Sequence, residues 1–121
     1  ANNEDSNGVY QHSFDQALKK QLYIDLQNSI AGDLLFERNI DYRLFITNEL
    51  FNKHIATNDL EELDNRLYQL AYSAIIGMEG GTTNWGTFSY SMNKRTLILI
   101  NILQESKKYG QVLTICLPEE V

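Results

Sequence analysis

The chain has a single cysteine, a single proline, a single tryptophan and two histidines among 121 residues. Cys116 on its own cannot close an internal disulfide, so no disulfide framework holds this fold, and a reducing, intracellular home is the simplest expectation. None is needed for stability: a chain this long buries roughly two thirds of the surface its unfolded form exposes. His12, His54 and Cys116 show no ligand spacing, so neither a metal site nor a cofactor is expected. Cations are also scarce. Ten Lys and Arg stand against sixteen Asp and Glu, for a net charge of −6. The basic residues come as separated pairs, Lys19–Lys20, Lys94–Arg95 and Lys107–Lys108. A surface that tracks a phosphate backbone needs them clustered, so a nucleic-acid partner is disfavoured. No apolar run is long enough to span a bilayer. Ala1 to Gly8 lack the basic start and apolar stretch of a secretory signal, and no Asn-X-Ser/Thr sequon occurs.

What is present is a globular composition, 43% hydrophobic and 11% aromatic. Residues 1–12 are polar and read as a mobile arm or leader, and residues 13–121 as a single helical domain. Ser13 with Gln16 makes a capping-box spacing, and Phe14, Leu18, Leu22, Leu26 and Ile30 recur every fourth residue, which predicts one long helix stopped by Gly32. Asp33 to Ile55 reads as further helix. From Asn58 a helix is expected with Leu60, Leu63, Leu67, Leu70 and Ala74 on one face and Asp59, Glu61 and Glu62 in its first turn. Gly77 to Ser91 is loop by composition, with Phe88, Tyr90 and Met92 alternating as a short strand. A last helix, capped by Ser91 or Asn93 and stopped by Gly110, would carry the apolar run Leu97 to Leu103. Gln111 to Leu117 is β-prone. The expected fold is therefore mainly α: a four- to five-helix bundle-like domain with a minor two-stranded β element near residues 87–92 and 111–117.

No catalytic constellation emerges. Cys116 sits in the apolar segment Val112 to Leu117, where a thiol behaves as an inert small hydrophobe. Glu61, Glu62 and Asp64 suit a solvated, helix-stabilising face. Gly77-Met78-Glu79-Gly80-Gly81 matches no phosphate-binding fingerprint. Binding surfaces are better represented. Tyr68, Tyr72 and Ile76 project from the side of the third helix away from its leucine stripe, either clamped inside the bundle or open to a partner. Trp85, Phe88 and Tyr90 bring together residue types common at interface hot spots, or else plug the end of the bundle. The tail Glu119-Glu120-Val121 could dock elsewhere. These features predict a non-enzymatic protein–protein interaction module, an adaptor, assembly subunit or inhibitor, whose partner is another protein or a second copy of itself. The alternatives are a winged-helix-like nucleic-acid-binding domain and a small enzyme with an unrecognised site.

Overall fold

The computed structural model describes residues 14–79, 85–92 and 94–121. The expected arm, the Ser13 cap, Gly80–Gly81 and Asn93 lie outside them. Short helix α1, Phe14–Lys19, leads to strand β1, Tyr23–Asp25, then to helix α2, Ile30–Glu37, and strand β2, Arg43–Thr47. Helix α3, Asn48–Leu50, runs on as a π-helical turn, Phe51–Ile55, before the long helix α4, Leu60–Glu79. The chain then makes β3, Trp85–Met92, β4, Arg95–Ser106, and β5, Gly110–Cys116, and ends in a 3₁₀ turn, Pro118–Glu120. The strands form one mixed sheet in the order β1-β2-β5-β4-β3, with β2 and β5 parallel and every other neighbour antiparallel. This is an α+β fold, which overturns the expected mainly α bundle with two short strands.

Strand alternation divides the core into two layers. Leu44 and Ile46 of β2, Leu113 and Ile115 of β5, Leu99 of β4, and Phe88 and Tyr90 of β3 point to one face, where α2 and α4 cover them. Tyr23, Phe45, Ile100, Ile102, Val112 and Cys116 point to the other face and pack against Phe14 and Ala17 of α1. Phe14 stacks on Tyr23 at 5.0 Å and meets Phe45 edge-on at 4.8 Å. Because both faces are covered, the middle of β4 is apolar all round. Such a run fits a buried strand as well as a buried helix. The β-branched Thr96, Ile98, Ile100 and Ile102 favour the strand, and the predicted last helix is β4 instead.

The predicted first helix also breaks early, for a local reason. Gln21 adopts φ 59, and its N–H donates to the Leu18 carbonyl while the Leu22 N–H donates to that of Ala17. This is a Schellman ending with glutamine in the left-handed position that glycine usually fills. Asn39, φ 58, ends α2 in the same way. Gly32 does not stop a helix; it lies inside α2, where an added Cβ would stand 2.1 Å from the Gln27 carbonyl oxygen. Gly77 likewise lies inside α4, and Gly110, φ 77, opens β5.

Two substitutions follow from these backbone positions, both read by urea denaturation. Gln21→Gly removes the left-handed strain and should raise stability by about 1 kcal/mol. Gly32→Ala forces α2 off the Leu26–Gln27 backbone and should lower it by about 3 kcal/mol; an unchanged midpoint would mean that this close approach is not required.

Candidate functional site

Helix α4 is capped by Asp59, not by the expected Asn58: the Asp59 carboxylate accepts the Glu61 and Glu62 N–H groups. Leu67, Leu70, Ala71, Ala74 and Ile75 are its buried side. Leu60, placed in that stripe by its spacing, is 75% exposed, because the helix begins beyond the edge of what it covers. Two contacts define the flank that lies on β3. The Tyr90 hydroxyl donates to the Arg66 carbonyl at 3.0 Å, and a Cβ on Gly77 would come within 2.6 Å of the Phe88 Cβ. At 3.6 residues per turn, Tyr72 projects about 120° from Arg66 and about 140° from Gly77. It emerges on the α2 side of the helix layer.

There Tyr68 and Tyr72 are each 37% exposed and Ile76 is 51% exposed. The two tyrosine rings stack with centroids 6.4 Å apart and planes 6° from parallel. The Arg38 guanidinium, one residue beyond α2, lies 5.6 Å from the centre of the Tyr72 ring. Two aromatic rings, a branched aliphatic side chain and a cation are thus arranged along one exposed helix side. Arg38 carried no signal in the sequence, because its role depends on α2 lying beside α4. Phe36, 80% exposed, stands off the buried side of α2 formed by Ala31, Leu34 and Leu35. Its offset from those three positions was the available clue.

Two of the three residues of the other proposed aromatic patch lie inside the core. Phe88 and Tyr90 are buried beneath α4, and burial pushes the Tyr90 phenol up to about 12. The backbone of Trp85 pairs with Ile102 at the start of β3; its side chain lies outside the described residues. Among the described side chains of β3, the exposed ones are Thr87, Ser89 and Ser91.

Chemistry-bearing groups sit elsewhere. Cys116 is buried on the α1 side, and burial, reinforced by Glu120, pushes its thiol up to about 12, so it is neutral at physiological pH. Its neighbour Tyr23 is pushed up in the same way, first by burial and then by Cys116. His54, in the π-helical turn, is pushed down by burial and then by Arg95. The acidic start of α4 is occupied structurally: beyond the Asp59 cap, Glu62 pairs with Arg66 at 3.0 Å, and Arg66 also donates to the Ile55 and Ala56 carbonyls that end the π-helical turn. Among the described residues no three His, Cys, Asp or Glu side chains converge as a metal site, and no described helix is long and apolar enough to cross a membrane.

The C-terminal residues are not a free acidic tail. Glu120 is buried, and its Oε2 accepts both the Thr47 hydroxyl, at 2.7 Å, and the Leu117 N–H, at 2.9 Å. Its carboxyl is raised above the usual glutamate value because burial outweighs those hydrogen bonds. The folded state therefore binds this proton more tightly than the unfolded chain does. The contribution of Glu120 to stability is fullest below the unfolded value and is lost as pH rises through the folded one. Both donors share one oxygen, so the amide oxygen of Glu120→Gln can accept both. That variant should be at least as stable as the wild type at neutral pH, and its stability should rise less as pH falls to about 5. A loss above about 1 kcal/mol at neutral pH would show instead that the charge itself holds the turn. No protein-family model matches this chain, and no curated protein or solved structure matches it either.

Proposed function

We propose that this domain is a non-enzymatic protein-binding module, an adaptor, assembly subunit or inhibitor, that engages another protein through the Tyr68, Tyr72 and Ile76 side of α4. The observation that carries this reading is the exposed Tyr68–Tyr72 stack beside Ile76, with Arg38 held over Tyr72. Tyrosine offers a large contact area for two side-chain torsions, and its hydroxyl tolerates water, so it serves both the free and the bound surface. Stacking on a neighbour and capping by a guanidinium restrict the rings before any partner arrives, which lowers the ordering cost of association. Ile76 adds apolar area that stays in water while the domain is alone. Folding does not require these exposures, since α4 is already anchored by Leu67, Leu70, Ala71, Ala74 and Ile75.

Tyr72→Ala and Ile76→Ala test the surface. Ile76→Ala should change folding stability by less than about 1 kcal/mol, because half of that residue is in water, and Tyr72→Ala, which removes a stacked ring, should lower it by about 1–2 kcal/mol without unfolding the domain. Each should weaken association by about tenfold or more, as truncation of an interface anchor does. Affinity is read by calorimetry on a purified partner recovered by cross-linking from position 76, and self-association by sedimentation velocity at several concentrations. If both variants associate as the wild type does, the α4 surface is not the interface. Self-association lost in both variants would make the partner a second copy.

A further inference from the structure

Two of the lysine pairs that are far apart in sequence meet at one end of the molecule. Lys19 closes the last turn of α1 and Lys20 follows it. Lys107 and Lys108 form the turn between β4 and β5. Lys19, Lys107 and Lys108 line a single open groove of about 1030 Å³, together with Asp15, Glu105 and the apolar Leu18. A lysine at a helix end or a tight turn is usually just solvated, so the lysines alone say little. The groove, however, is a braced structure. Asp15 accepts the Ser106 hydroxyl at 2.8 Å and the Lys107 N–H at 3.0 Å, which ties α1 to the turn. The Ser106 oxygen in turn accepts the Lys108 and Tyr109 N–H groups, each at 3.1 Å. Both walls are thereby set, and the Asp15 carboxylate is turned inward upon those donors.

The charge balance is local and opposite to that of the chain. Three lysines, Lys19, Lys107 and Lys108, against Asp15 and Glu105 leave the groove at plus one in a protein of net charge −6. None of the groove's ammonium groups is held in an ion pair among the described residues. Lys108 lies 5.2 Å from the Tyr109 ring centre.

We propose that this groove docks a short acidic segment of a partner protein, with carboxylates at the rim lysines and an apolar side chain against Leu18. A nucleic acid fits less well, because a polyanion extending past the groove meets the acidic remainder of the surface. The proposal is independent of the α4 surface: α1 and α4 cover opposite faces of the sheet, so variants at one leave the other intact.

The test uses a fluorescein-labelled octapeptide alternating glutamate and leucine, read by fluorescence anisotropy against the whole chain. The wild type should bind at low salt and weaken about tenfold or more as salt reaches the physiological range. Lys107→Glu with Lys108→Glu should lower affinity by about tenfold or more at low salt. Lys94→Glu with Arg95→Glu, the same change in net charge at the far end of β4, should leave it within about twofold. Circular dichroism melts verify folding; should the first pair disturb the turn, Lys19→Gln probes the same groove from α1 and should still weaken binding. Absence of wild-type binding at low salt, or equal loss in both double variants, overturns the proposal. So does equal or tighter binding of an oligothymidylate of the same length, which would make the ligand a nucleic acid. Self-association abolished by the Lys107 and Lys108 changes would make the occupant a second copy, and would overturn it too.

Discussion

Parallel pairing of β2 with β5 joins the two halves of this chain. Arg43 to Ile46 lie in register with Val112 to Ile115, and at the end of the pair Thr47 donates to Glu120, 73 residues further on. A parallel pair cannot be closed by a tight turn; it needs a crossover, usually helical. Here the crossover holds α3, α4, β3 and β4, so the long helix and the hairpin are both placed by this one contact. Thr47 serves it twice. Its hydroxyl gives its proton to the Glu120 carboxylate and accepts the Leu50 N–H, capping the helix that leads away from the sheet. The C-terminal turn is thus a latch on the central strands.

With β2 and β5 central, the two faces of the sheet acquire different cover. One face carries α2 and α4 side by side, and among the described residues the opposite face has only the six-residue α1. A helix this short is marginal in isolation. It is held by Phe14 and Ala17 in the core and by Asp15 on the β4–β5 turn. The carboxyl of Asp15 is lowered because those same donors favour its charged form. On that same face Thr87, Ser89, Ser91, Thr96 and Ile98 of β3 and β4 are exposed.

The sequence carried α4 well and β4 badly, and the difference is physical. An amphipathic helix writes its period into the chain because one side meets water; Leu67, Leu70 and Ala74 are buried as their spacing required. A strand covered on both faces writes no period, and only the β-branched content of Thr96 to Ile102 distinguished it from a buried helix. Phe14 to Ile30 misled in the opposite way. Its four-residue spacing is real, but the chain reverses at Gln21, and a left-handed glutamine leaves no mark that a glycine would have left. For the candidate surfaces, the off-stripe positions of Tyr68, Tyr72 and Ile76 were legible. Period two correctly grouped Phe88 with Tyr90, but period alone cannot say which face of a strand a distant helix will cover. The meeting of Lys19 with Lys107 depends on the sheet order and was not readable from linear spacing.

The outer edge of β3 shows how the helix layer constrains what this sheet can recruit. An eight-residue edge with no charge and no proline is the kind of strand that invites another strand. Gly77 and the small side chain of Ala74 let α4 come down onto this edge strand, and the Tyr90 hydroxyl fastens it there. Two-fold antiparallel pairing of β3 with its copy would set the two strands about 4.8 Å apart, with their helices on the same face. Helices need about 8–10 Å between axes, so wherever α4 lies directly over β3, as the close approach of Gly77 to Phe88 requires of its last turns, it crowds the same turns of a copy. The exposed hydroxyl face of β3 adds little apolar area to favour such a contact. The helix that carries Tyr68 and Tyr72 on its far side is thus the same one that crowds the edge at which a copy of β3 would pair.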